Sequence, residues 1–226
     1  MSIRPRLPAG KGVTTLVAAG ALLLGACVAP AALAAPAGKA GRAFAFDGVD
    51  DYVEVPDSAR WNLGSASLTI DFWIWFDTIR GGTTIDQPAA MLVGHDEGPF
   101  PRNKWDVAFG GNTLAFHVNT AASESRFLAK TPFAPALHRW YHVAITRQGD
   151  LFTIYVDGKQ GGSERDARSI PDPKAPLTIG QAESVGYGKP FILHGRIDEL
   201  AIARSALTAA QVRALWTAGA AGRCVR

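Results

Sequence analysis

Leu68-Thr69-Ile70-Asp71-Phe72-Trp73-Ile74-Trp75-Phe76 alternates with a period of two. In an extended chain Leu68, Ile70, Phe72, Ile74 and Phe76 share one face, and Thr69, Asp71, Trp73 and Trp75 share the other. The first set is a core face. The second is amphipathic, and its two tryptophans form either a second buried layer or an exposed aromatic platform. Burial is the favoured reading, because aromatic side chains supply much of the core area of β-sandwiches. Trp105 and Trp140, each opening a further candidate strand, read the same way.

On either side of this run, from Ala43 onward, short apolar stretches are separated by Gly, Pro, Asp and Asn. Strands are expected at 43–46, 52–55, 68–76, 90–94, 105–109, 113–118, 140–147, 151–156, 177–179 and 191–203. Phe109-Gly110-Gly111-Asn112-Thr113 and Tyr155-Val156-Asp157-Gly158-Lys159 place turn dipeptides between apolar runs, which predicts two hairpins. The spacing suits an all-β sandwich or barrel, not alternating βαβ units. One helix is signalled near the end. Thr208 is its N-cap, Gln211 completes a capping box, Leu207 can staple to Val212, and Gly219 follows as C-cap.

Composition narrows the partners. The chain has 226 residues with 23 Lys plus Arg and 20 Asp plus Glu. Arg4, Arg6 and Lys11 are the only charges in 1–34, so the 20 remaining basic residues equal the 20 acidic ones. A neutral domain has no basic excess for releasing counterions from phosphates, which argues against nucleic acid. It also argues against a polybasic membrane patch. The basic start, the apolar stretch Val13 to Ala26 and Ala32-Leu33-Ala34 before Ala35 have the form of a secretory signal peptide over 1–34. The apolar run is shorter than the roughly 20 residues of a spanning helix, so no transmembrane segment is expected in the mature chain. Leu24-Gly25-Ala26-Cys27 offers a second processing route, with Cys27 lipidated as an anchor at the cell surface. Simple secretion is favoured. Either route leaves Cys224 without an intrachain partner, so stability falls to a hydrophobic core. Residues 35–42 read as a linker, 43–219 as one domain and 220–226 as a tail.

Several words along the chain carry a resemblance: Ala43-Phe44-Ala45-Phe46-Asp47-Gly48-Val49-Asp50-Asp51-Tyr52-Val53-Glu54-Val55, Leu68-Thr69-Ile70-Asp71-Phe72-Trp73, Trp140-Tyr141-His142-Val143-Ala144-Ile145-Thr146-Arg147, Tyr155-Val156-Asp157-Gly158, Leu177-Thr178-Ile179-Gly180, Gly195-Arg196-Ile197-Asp198-Glu199-Leu200 and Ser205-Ala206-Leu207-Thr208. In this order they resemble the LamG-like jelly-roll domains of the concanavalin A-like lectin/glucanase superfamily. The resemblance spans Ala43 to Gly219. It implies two antiparallel sheets packed face to face as a jelly-roll sandwich, with the chain ends meeting on one side and one short C-terminal helix.

Hydrolases on this scaffold use two carboxylates on one strand, commonly Glu-x-Asp-x-Glu, and no such run occurs here. Nor is there a Gly-x-Ser-x-Gly elbow, a His-Glu-x-x-His, a phosphate loop or a Cys-x-x-Cys. A non-enzymatic module is expected, with no catalytic residues. His138 and His142 have helical metal spacing but lie at a strand, and His95-Asp96-Glu97 reads as a solvated cluster. The resemblance implies a structural calcium where the chain ends meet, with Asp47 and Asp198 as ligands, since calcium takes oxygen donors. Asn103, Trp105, Asp106 and Tyr187 are the candidate ligand-binding residues, because sugar sites pair an aromatic platform with amides and carboxylates. The expected function is a secreted lectin-like module that recognises carbohydrate. The alternative is a structural or protein-interaction module bound to a cell-surface protein, with no small ligand.

Overall fold

The computed structural model describes residues 43–182 and 191–219. The segment 1–34 expected as a signal peptide, with Cys27, the expected linker 35–42, Tyr187 and the expected tail 220–226 lie outside the described residues. Twelve strands precede one helix: β1 (Phe44–Asp47), β2 (Val53–Val55), β3 (Leu68–Thr78), β4 (Ala90–Asp96), β5 (Lys104–Gly110), β6 (Thr113–Asn119), β7 (Ser125–Pro132), β8 (Trp140–Gln148), β9 (Leu151–Val156), β10 (Lys159–Arg165), β11 (Leu177–Ile179), β12 (His194–Ala203) and α1 (Ala209–Ala218). They form two six-stranded antiparallel sheets. The first has the order β1-β12-β3-β8-β9-β10 and the second β2-β11-β4-β5-β6-β7. This is the jelly-roll sandwich that the alternation in β3 and the turn spacing lead to.

The core lies between the sheets. Leu68, Ile70, Phe72, Ile74 and Phe76 are all buried there. Aromatic contacts cross the interface: Phe76 meets Phe109 at a ring separation of 5.0 Å and Phe152 meets Phe116 at 6.1 Å. Both hairpins form as the turn dipeptides require. Asp157 and Gly158 take φ of 50° and 69°, the pair of positive values of a two-residue turn whose twist suits the flanking strands.

The opposite face of β3 is covered for part of its length. Thr69 Oγ1 donates to the Ser205 carbonyl at 2.7 Å and accepts from Leu207 N at 3.0 Å, tying down the chain that leads into α1. Val212 of α1 then buries against Ala144 and Tyr155 on the outer side of the first sheet. The helix starts as its capping box requires, with Thr208 and Gln211 exchanging side-chain and backbone bonds, and Gly219 caps its end. Trp73, on the same face, is 2 % exposed, with its ring 5.2 Å from that of His142.

Two strands, β7 and β10, are not signalled by alternation. Both are edge strands, and β10 reads Lys-Gln-Gly-Gly-Ser-Glu-Arg with hardly a buried side chain. Backbone pairing alone holds such a strand, so its sequence carries little pattern. Its glycines serve close approach. A Cβ at Gly162 would collide with the Lys130 carbonyl, and one at Gly161 with the Thr131 side chain, so the edges of the two sheets meet here.

Candidate functional site

Beyond the end of α1 the outer face of the first sheet is open. The register places Arg196 of β12 beside Trp75 of β3, and Trp75 beside Trp140 of β8. Both tryptophans are half-buried, with ring centroids 5.7 Å apart and planes inclined at 55°. The Arg196 guanidinium lies over the Trp75 ring at 5.4 Å, and the His138 ring lies 6.0 Å from it on another side. Trp75 Nε1–H donates to Asp77 Oδ1 at 2.8 Å. The same oxygen is 3.6 Å from His138 Nδ1 and 3.7 Å from Arg196. The result is a fixed aromatic surface, its pitch set by one carboxylate and its rim made of exposed guanidinium and imidazole groups. Such a surface presents apolar faces with donors and acceptors at their edges.

Trp105, read as a ligand-binding residue, is instead in the core at 0 % exposure. Its indole N–H donates to the Trp61 carbonyl at 3.3 Å, and its ring meets His95 and Phe116. Strand alternation is the reason: Trp105 points inward, so Asp106 points to the outer face of the second sheet. There Asp106 Oδ2 meets His117 Nδ1 at 3.1 Å. Asn103 is half-buried just before β5, where its side-chain oxygen accepts from Ala121 N at 3.0 Å. His95 and Asp96, read as a solvated cluster, are also buried, because β4 continues through them and pairs Asp96 with Lys104. His142 is 1 % exposed against Trp73, which makes it scaffold.

The two calcium candidates are not brought together. In the β1–β12 register Asp47 faces His194 and Phe44 faces Ile197, which puts Asp198 at the far end of the ladder, about 13 Å away at 3.3 Å per residue. Asp198 sits on the outer face beside Trp73, and its Oδ1 accepts from Glu199 N at 2.8 Å. Asp47 gathers different company. Oxygens of Asp47, Asp50 and Asp51 lie within 4.8 Å of one another. Asp47 Oδ1 accepts from Val49 N at 2.7 Å and Asp50 N at 3.3 Å, while Asp51 Oδ2 accepts from Asp47 N at 3.2 Å. For Asp47, desolvation works upward, yet the bonds from the backbone of Val49, Asp50 and Asp51 outweigh it and hold the carboxyl below the usual range. Desolvation and then the neighbouring Asp47 charge push Asp51 up. A divalent cation would relieve that repulsion, so this turn fits calcium on the grounds of its donor set.

With strand order and face chemistry established, comparison places the scaffold. A laminin-G-type family model described as the concanavalin A-like lectin/glucanases superfamily matches residues 47–213. The chain belongs to this superfamily. Its description joins binders of sugars with hydrolases of sugars, so membership alone does not separate the two. Domain 4 of an extracellular arabinanase from Geobacillus stearothermophilus, solved with arabinotriose, superposes with a TM-score of 0.60 at 18 % identity, over 78 % of this chain and 77 % of that one. The binding domain of botulinum neurotoxin serotype G superposes at 0.56 and 14 % identity, over 76 % of this chain but 41 % of that one. At these identities the likeness is one of fold. No curated protein matches the sequence.

Proposed function

We propose that this superfamily member is an exported recognition module for carbohydrate, with the Trp75–Trp140 surface as its sugar platform. The carrying observation is that pair of half-buried indoles held beside Asp77 and Arg196. Sugars present C–H faces that settle on indole rings and hydroxyls that need both donors and acceptors, and the surface supplies both. The arabinotriose held by the arabinanase domain is a precedent for sugar binding on this fold. Export is supported by the leader-like 1–34 segment, and among the described residues no helix is long and apolar enough to cross a membrane. Lipid attachment at Cys27 is the anchored form of the same reading.

A glycan panel followed by calorimetry tests the platform. Trp75→Ala and Trp140→Ala are each expected to weaken binding by about ten-fold or more, ~1.4 kcal/mol, while the domain stays folded. Unchanged affinity in the double variant would remove the platform. A panel without hits, combined with capture of a surface protein through the same residues, would favour the adhesion reading.

Calcium belongs to this proposal as a structural ion at Asp47, Asp50 and Asp51. At an affinity typical of extracellular modules, 10 mM calcium corresponds to about 1.4–2.7 kcal/mol of stabilisation, a melting-temperature rise of roughly 3–8 °C. Asp51→Asn is expected to abolish most of that rise. A melting temperature indifferent to calcium and EDTA would leave the turn closed by its own backbone bonds.

A further inference from the structure

The outer face of the second sheet, away from the tryptophan surface, carries three side chains linked across three neighbouring strands. Asp106 on β5 is the direct partner of His117 on β6. The register shift between Phe116 and His117 where β6 meets β7 brings Ser125 within reach of the other side of the ring. Asp106 Oδ2 lies 3.1 Å from His117 Nδ1, and Ser125 Oγ lies 2.9 Å from His117 Nε2. A carboxylate can only accept, so in the neutral ring Nδ1 carries the hydrogen and Nε2 turns its lone pair toward the serine hydroxyl.

Burial is graded in the same order. The Asp106 side chain is 2 % exposed and that of His117 15 %, while Ser125 is open to solvent. An ordinary polar ladder on a wet sheet face has no need to bury its carboxylate. A nucleophile relay does need it: a shielded carboxylate orients the imidazole and stabilises the imidazolium that forms, and the hydroxyl must reach a substrate. Such constellations are recognised by geometry and roles, not by order in the chain.

One more group faces this place. Asn119 is the direct cross-strand partner of Ser125, is 5 % exposed, and its buried side-chain oxygen has no hydrogen-bond partner. An asparagine amide can donate to an oxyanion once a change of rotamer turns its N–H2 out toward the surface beside Ser125. With one such donor, esters are within reach before amides, because an alkoxide leaves with less stabilisation of the tetrahedral intermediate.

We propose that Ser125 is the nucleophile of an acyl-transfer site that acts on carboxylic esters, with His117 as general base and Asp106 as its positioning residue. Ser125 Oγ bonds to the carbonyl carbon as its proton passes to His117 Nε2, and the carbonyl π electrons move onto oxygen beside Asn119. Collapse breaks the carbon–alkoxide bond, and the His117 proton leaves with the alcohol. Water then repeats the two steps on the acyl-serine, releasing the carboxylic acid and restoring the hydroxyl. Nothing is oxidised or reduced.

The test treats the full chain with a fluorophosphonate probe, maps the modified residue by mass spectrometry, and follows hydrolysis of p-nitrophenyl acetate. Ser125 is expected to be modified in the folded protein and not after heat denaturation. Ser125→Ala, a change at an exposed position, is expected to lose the acetate hydrolysis. His117→Gln and Asp106→Asn are expected to slow labelling by about 100-fold or more. Their melting temperatures serve as the control for folding, and Ser125→Cys is expected to restore acylation by the ester. Labelling of Ser125 no faster than that of the exposed Ser163, or ester hydrolysis unchanged in Ser125→Ala, would overturn the proposal. Sugar binding at Trp75 and Trp140 stands or falls separately.

Discussion

Trp105→Ala is expected to cost about 3–5 kcal/mol of folding stability, the range for removing a fully buried aromatic side chain. The ring is 0 % exposed and lies between the sheets, 6.0 Å from His95 and 6.2 Å from Phe116. Its loss opens a cavity that rigid strands on both sides cannot close, and it leaves the Trp61 carbonyl without the indole donor. For a domain whose net stability is about 5–15 kcal/mol, that is about a fifth of the total at the least. Urea unfolding of the variant measures it directly. The contrast with Trp75→Ala is informative: that ring lies half-buried on an outer face, so its removal is expected to act on sugar affinity and only weakly on folding. A cost below about 1 kcal/mol for Trp105→Ala would contradict its place in the core.

The second large effect is a pH dependence built into the second sheet. Asp96 is 0 % exposed, with Lys104 Nζ at 3.1 Å and a bond from Gly98 N at 2.8 Å. Burial pushes its carboxyl up to about 6, in spite of the lysine and the Gly98 bond, and Asp106 adds to the rise. Below pH 3.8 the group is protonated in both folded and unfolded chains and contributes no pH dependence. As the pH rises from 3.8 to about 6 the unfolded chain releases the proton while the folded one retains it, so stability falls. Above about 6 the loss is complete, and the interval corresponds to about 3 kcal/mol. Asp96→Asn keeps the shape without the titration. The stability of the variant relative to the natural protein is expected to rise by up to about 3 kcal/mol between pH 3.5 and pH 7, measured by urea unfolding at both values. Parallel curves would place the Asp96 ionisation well below 6.

What could be read from the residues follows from where pattern resides. The alternation of β3, the two turn dipeptides and the Thr208 capping box are local, and each forms as its sequence requires. Trp73 and Trp75 show where locality ends. They share a residue type, a strand and a face, yet Trp73 is buried beside His142 and Trp75 is only half-buried, a difference set by neighbours on β8 and β12 that are remote in sequence. Burial of Trp105 is legible from its residue type and strand, whereas its place in a ligand site is not excluded by pattern, since a strand buried on both faces has no polar side to reveal its orientation. The resemblance joins Asp47 and Asp198 only through the general neighbourhood of the two chain ends, whereas the four-residue offset between them is a matter of register. The Asp106–His117–Ser125 link depends on a register shift between strands and leaves no spacing in the sequence by which to find it.

The position of β12 between β1 and β3 has a consequence for the order in which the molecule can be made. The first strand finds no partner until a segment about 150 residues further along has left the ribosome, and until then it stays detached from the β3-β8-β9-β10 block of its own sheet. Strand pairings this remote in sequence close slowly, since the intervening chain must be ordered before they form. The first sheet therefore cannot close until Ala203 has been made, and it locks when β12 slides into the gap.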